Sequence, residues 1–345
     1  MDIYPEYYKN EVELNEVLSM PTTEVVEMVK NLEGDIIFLG VSGKIGVSMA
    51  RMAKKACEKA GIKKKIIGVS RFSSESQRLL LEESGIDTIK GDLIDQKFIN
   101  SLPDVKNVFY LAGLKFGTSG NESLTWAMNS YLPGLVADKF KNSRIVAFST
   151  GCVYPNVSYK SGGSKETDIP RPIGEYSQSC LGRERLFEFG SIKNHTPIVL
   201  IRLFYAVEMR YGVLVDIATR VFNEEPVDVT MGYANVIWQA DANAMILQTI
   251  NHCESPAKFL NITGPELLSI RKVALKFGEL MNKQVTIKGT EEDTALLGNA
   301  ELSFKLLGKP RVSVDKIIKW TAKWVEGNNK VLGKPTHFES KDGKY

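Results

Sequence analysis

Apolar residues along this chain fall into short runs separated by longer stretches with helical spacing. Asp35–Leu39 (DIIFL), Lys65–Val69, Asp87–Ile89, Asn107–Leu111 (NVFYL), Arg144–Ser149 (RIVAFS) and Ile198–Leu203 (IVLIRL) have strand length and, for the most part, strand composition. Between the first two, apolar residues recur at Ile45, Met49, Met52, Ala53, Ala56 and Ala60, one face of a helix that Gly61 ends. Ser73–Ser84, Glu122–Phe140 and Tyr176–Phe189 read as further helices. Such βαβα alternation predicts an α/β chain with a doubly wound parallel sheet covered on both faces.

The regularity holds from residue 35 to about 204. Residues 1–34 read as an extension with a short helix over Thr23–Leu32. Beyond 204 the pattern predicts a smaller α/β region over 205–329, interleaved with the first domain and suited to substrate binding. It has short strands near Val227–Val229 and Phe259–Ile262 and helices over Asp241–Asn251 and Ser269–Met281. A last helix from Ser313 carries the stripe Val314, Ile317, Ile318, Thr321, Trp324 and Val325 and stops at Gly327. Residues 330–345, rich in Lys and Gly, read as a loose tail or an arm clasping a neighbour.

The turn after the first strand is Gly40-Val41-Ser42-Gly43-Lys44-Ile45-Gly46. Three glycines so spaced suit a tight turn, the approach of a diphosphate to the main chain, and close packing of helix on strand. The helix that follows would offer its unpaired N–H groups to the phosphates. The expected architecture is therefore a Rossmann domain, with Gly40, Ser42, Gly43, Lys44, Ile45 and Gly46 at the dinucleotide. The second strand ends Ser70-Arg71, with no acid to take a ribose 2′-OH. That choice of residues favours the 2′-phosphate of NADP, with NAD possible.

Composition narrows the rest. A net charge of +3, with no long basic run, gives no reason to expect a nucleic-acid partner. Cys57, Cys152, Cys180 and Cys253 form no C-x-x-C pair, and His195, His252 and His337 are scattered, so neither a metal site nor a disulfide framework is expected. With no signal-like start and no membrane-spanning run, a cytoplasmic protein is the expectation.

An ordered set of motifs then resembles the extended short-chain dehydrogenase/reductase superfamily, in the epimerase/dehydratase family that includes UDP-galactose 4-epimerase. The set is Gly40/Gly43/Gly46, Gly91-Asp92-Leu93, Ala112-Gly113-Leu114-Lys115, Asn129, Ser149-Thr150-Gly151-Cys152-Val153-Tyr154 and Tyr176, and the likeness covers roughly 35–325. The resemblance implies that Asp92 and Leu93 border the adenine and that Ala112 and Gly113 line the cofactor. Lys115 would reach cofactor or substrate, and Asn129 would order the site. Thr150 matches the catalytic Ser/Thr and Tyr176 the catalytic tyrosine, expected to be exposed at a helix start after the loop containing Gly162, Gly163, Pro170 and Pro172. A homodimer through the helices carrying Asn129 and Tyr176 is also implied.

One family residue is absent. The lysine a turn beyond the tyrosine, which binds the nicotinamide ribose and favours the phenolate, is Cys180 here. Three readings stay open. Lys115 or Arg183 supplies the charge; the tyrosine works as a neutral acid; or redox activity is gone and the fold binds a nucleotide for regulation or structure. Tyr205 and the stretch Asn235–Asp241 also depart from the family, leaving only Asp241, a possible helix cap, in common. That puts nucleotide-sugar binding in doubt. The substrate expected is a sugar or sugar-derived hydroxyl/carbonyl compound, with Trp126, Tyr205 and Trp238 as candidate pocket walls and Trp320 and Trp324 as packing residues.

Overall fold

Each of the six apolar runs is a strand in the computed structural model, which describes residues 4–115, 117, 119–334 and 336–343. These strands are β1 (Ile36–Leu39), β2 (Ile66–Ser70), β3 (Asp87–Lys90), β4 (Asn107–Tyr110), β5 (Arg144–Thr150) and β6 (Ile198–Leu203). The short run expected near Phe259–Ile262 is β7 (Lys258–Ile262) and completes the same sheet. The order is β7-β6-β5-β4-β1-β2-β3, all parallel.

Both faces of β1 are buried for a simple reason. Alternation sends Ile36 and Phe38 into the core on one side of the sheet and Ile37 and Leu39 into the core on the other. Leu39 is in register with Val69 on one neighbour and Tyr110 on the other. The strand order reverses here, and a crevice opens at such a point beyond the carboxyl ends of the strands.

The helices are α1 (Glu11–Leu18), α2 (Thr23–Asn31), α3 (Gly46–Lys59), α4 (Glu75–Glu83), α5 (Gln96–Ser101), α6 (Glu122–Trp126), α7 (Leu132–Lys139) and α8 (Gly174–Asn194), followed by α9 (Val213–Phe222), α10 (Gln239–Gln248), α11 (Ile270–Met281), α12 (Glu301–Leu307) and α13 (Val314–Glu326). The expected single helix over Glu122–Phe140 is interrupted by a π-turn at Ala127–Tyr131, which carries Asn129. Helices α1, α5, α9 and α12 are not legible in the sequence as separate elements. Short polar helices such as α1, capped by Asn10, leave too few periodic positions to stand out. No helix among the described residues is long and apolar enough to cross a membrane.

In the residues described, the segment after α13 is packed on the body of the chain. Leu332 N–H donates to Arg210 O, and the N–H and hydroxyl of Thr336 both donate to Asp216 on α9. Phe338 is buried, Glu339 pairs with Arg220, and Lys341 pairs with Glu292. At its end Gly343 packs on Gly174 so closely that a Cβ on Gly174 would sit 2.5 Å from the Gly343 carbonyl oxygen. Lys330, Leu332 and Lys334 of this strap line the crevice, and Gly343 meets the start of α8.

Candidate functional site

The crevice beyond the strand ends is a cleft of about 1180 Å³. Its floor is the glycine turn, and the geometry separates the three glycines. Gly40 has φ +86°, and a Cβ there would lie 2.7 Å from the main chain of Ala112. A Cβ on Gly46 would collide with the Val41 carbonyl, so helix and strand can close only on glycine. At Gly43 a Cβ would meet only Gly40 O at 3.5 Å, so that glycine is spare for packing and leaves main chain open to the cleft. Helix α3 begins at Gly46 with no side-chain cap, so its first N–H groups have no side-chain acceptor there. This is a cradle for an anion, and a dinucleotide diphosphate fits it.

Of the sequence-derived cofactor set, Gly40, Ser42, Gly43, Lys44, Ser70, Arg71, Asp92, Leu93, Ala112, Gly113 and Lys115 line this one cleft. Ile45, Gly46, Tyr176 and Cys180 do not, nor does Thr150. Ser42 and Ser70 are hydrogen-bonded through their hydroxyls. Arg71 stands exposed, with Ser73, Ser74 and Ser76 on the same wall. Asp92 does not cap the next helix. It turns back to the Ile94 N–H, and Asp95 caps α5.

The expected catalytic pair lies deeper. Thr150, at the end of β5, and Tyr176, in the first turn of α8, are hydrogen-bonded. Tyr176 is only 9% exposed, which corrects the expectation of an exposed tyrosine. The loop before α8 does not leave it open, because Val153, Tyr154, Cys180, Phe204 and Leu296 pack around it. Burial, reinforced by the thiols of Cys180 and Cys152, pushes its hydroxyl well above the ordinary tyrosine range; Arg183 and the Thr150 bond act the other way without prevailing. Tyr176 is therefore a neutral O–H donor at physiological pH. Cys180 is fully buried and its thiol is pushed up to about 11, so it is no nucleophile.

Two cations are candidates to replace the missing lysine. Arg183 is the one whose charge bears on Tyr176. Its guanidinium is buried and donates to Asn129 Oδ1 at 2.7 Å, Asn129 O at 3.3 Å and Phe148 O at 2.9 Å. Asn129 in turn holds the Leu114 N–H and carbonyl and the Ser179 hydroxyl. The π-turn thus ties the loop after β4 to α8 through Asn129. Lys115 stands elsewhere, where its charge bears on Lys44.

Lys44 is the least ordinary group in the cleft. Its side chain is accessible, but its ammonium lies over the Tyr211 ring. Burial of that end, then the charges of Lys115 and Lys334, pull it down to about 6 against the partial opposition of Glu208 and Asp216. Sequence reasoning missed Lys334, Glu208, Arg210 and Tyr211 at this place. None carries a local signal, and only folding brings them to the glycine turn.

The aromatic walls need correction. Trp238 is fully buried against Trp320, with ring centroids 5.4 Å apart, and Trp324 is buried as well. Trp126 donates to Glu175 and, like Tyr205 and Trp238, lies outside the cleft lining. Asp241 does not cap its own helix; it accepts the Arg311 and Val312 N–H groups at 2.9 Å each.

No family model matches the sequence, and no curated protein matches it. Solved structures match in fold. MoeE5 in complex with UDP-glucose and NAD is 17% identical with a TM-score of 0.68, covering 85% of this chain and 99% of its own. UDP-glucuronic acid 4-epimerase from Bacillus cereus in complex with NAD is 17% identical with a TM-score of 0.69, covering 85% and 96%. The Thermus thermophilus UDP-glucose 4-epimerase in complex with NAD is 15% identical with a TM-score of 0.68, covering 84% and 98%.

Proposed function

We propose that this chain, which has the extended short-chain dehydrogenase/reductase fold of those epimerases, binds a nicotinamide dinucleotide and acts as an oxidoreductase or epimerase on a sugar or sugar-derived hydroxyl/carbonyl pair. The observation that carries the reading is the pairing of an uncapped helix start behind Gly40 and Gly46 with the Thr150–Tyr176 hydrogen bond deeper in the fold. When bound, the nicotinamide supplies the hydride chemistry. The main-chain N–H groups of Lys44 and Ile45 and the first turn of α3 would hold its diphosphate, the Gly43 and Gly46 N–H groups being donated to Gly40 O and Gly43 O within the turn. Thr150 and Tyr176 hold the substrate oxygen, and Tyr176, neutral, donates its proton to the developing alkoxide in the reducing direction.

The test is turnover of a sugar panel with the preferred dinucleotide. Tyr176→Phe is expected to lower kcat about a hundredfold with a smaller change in KM, since it removes only the proton donor. Undiminished turnover in that variant counts against the assignment.

NADP is the proposed preference, supported by Arg71 and the serines beside it on the cleft wall. Arg71→Ala is expected to weaken NADPH binding about tenfold and leave NADH nearly unchanged, in a fluorescence titration of both. Equal losses for the two would mean that Arg71 contacts a part they share.

A homodimer is part of the reading. Leu124, Trp126 and Tyr131 are exposed in the segment with Asn129, and Phe189 and Ile192 on α8. Free thiols at all four cysteines fit a reducing cytoplasm. The competing reading, nucleotide binding without turnover, is favoured by Cys180 at the lysine position. Binding of NADPH with no turnover across the panel would select it.

A further inference from the structure

We propose that Arg183 is a positioning residue for the Thr150–Tyr176 pair: from behind the cleft wall, its guanidinium holds the Gly113-Leu114 segment and strand β5 in register with helix α8. The inference deepens the proposed function and rests on Thr150 and Tyr176 being the groups that meet the substrate oxygen.

Arg183 lies two turns beyond Tyr176 on the same face of α8. Its guanidinium is buried and gives its N–H groups to two other elements. Nε donates to Asn129 O at 3.3 Å and Nη2 to Asn129 Oδ1 at 2.7 Å, both on the π-turn. Nη1 donates to Phe148 O at 2.9 Å, two residues before Thr150 on β5. The planar fork fixes these acceptors relative to one another, a restraint that an ammonium does not supply.

The same acceptors lead to the cleft and to the tyrosine. Asn129 Oδ1 also takes the Leu114 N–H at 2.8 Å, and Asn129 Nδ2 donates to Leu114 O at 2.8 Å and to Ser179 Oγ at 3.0 Å. Ser179 Oγ donates in turn to Tyr176 O at 2.8 Å. Gly113 and Leu114 line the cleft. A Cβ on Gly113 would lie 2.5 Å from Arg183 Nη2 and 3.1 Å from Asn129 Oδ1, so this wall is main chain laid directly against the guanidinium. Arg183 itself does not line the cleft and acts through these groups.

Its charge is met by carbonyl oxygens and, at 5.7 Å, by the Tyr110 ring, while the neighbouring Glu184 is taken by Arg202 at 2.8 Å. Burying a cation in this way costs stability. Apolar packing would join α8 to the π-turn without that cost, but it would leave free the angles that the fork sets.

The test uses full-length Arg183→Met and Gly113→Ala, singly and together. The methionine keeps an apolar stem and removes the fork. The alanine keeps Arg183 but pushes its guanidinium off the wall, a second route should the methionine variant fail to fold. Each single variant is expected to lower kcat by about tenfold or more at saturating NADPH and sugar. NADPH affinity should change less than about threefold, because the glycine turn and Arg71 are untouched. The double variant is expected to lose no more than the worse single one, since both changes remove one contact. Hydrogen exchange at the Leu114 amide, followed by NMR, should quicken at least about tenfold in each. The inference is overturned if the losses multiply, if kcat per folded molecule stays native, or if Leu114 exchange is unchanged. A native protein that turns over no sugar would sink the proposed function; Leu114 exchange then decides alone whether Arg183 orders the wall.

Discussion

Cys180→Lys, which restores the lysine of the family pattern, is expected to destabilise the protein by about 3–5 kcal/mol and to bring no gain in turnover. Cys180 is fully buried among Val153, Tyr154, Tyr176, Phe204 and Leu296. An ammonium placed there would leave water, and the carboxylate whose charge reaches it, Glu184, is already paired with Arg202. The Arg183 guanidinium, of the same sign, also bears on it, and the acceptors Asn129 and Phe148 O are already taken by Arg183. Urea denaturation of native and variant protein measures the cost, and initial rates on the best substrate measure any gain. A variant of native stability and higher rate would mean that α8 relaxes to make room and that Tyr176 does not work best as a neutral acid.

The second large effect separates two glycines of one turn. Gly43→Val is expected to abolish measurable dinucleotide binding, a loss of at least about a hundredfold, with little change in melting temperature. The free protein has room for the side chain, since a Cβ meets only Gly40 O at 3.5 Å. The added methyl groups would stand where a diphosphate must approach the main chain. Gly46→Val is expected to act in the other order, lowering stability by about 1–3 kcal/mol or more, because its Cβ collides with the Val41 carbonyl and neither element can shift without opening the sheet. Thermal melting with and without NADPH distinguishes the two. If both variants melted alike and both bound NADPH, the turn would not be a phosphate cradle.

Local chemistry alone determined the sheet and the turn. A strand buried on both faces is apolar at most positions, so β1, β4, β5 and β6 stand out in the chain before anything is known of their neighbours. The glycine spacing states its own function, since only residues without a Cβ can sit at Gly40 and Gly46. What folding decided is everything that depends on partners distant in sequence. Helix α8 reads as heavily charged, yet Glu184 is buried against Arg202, a β6 residue, at 2.8 Å, and Arg183 is buried against Asn129. Tyr176 reads as exposed and is sealed by Phe204 and Leu296, residues from elements that arrive much later in the chain. The strap reads as a polar tail because its anchors, Asp216, Arg220, Glu292 and Gly174, lie 49 or more residues before the groups they hold. Periodicity reports what a segment buries against itself and its immediate layer. Which charges meet across the cleft is set by where the chain returns, and no local pattern encodes that.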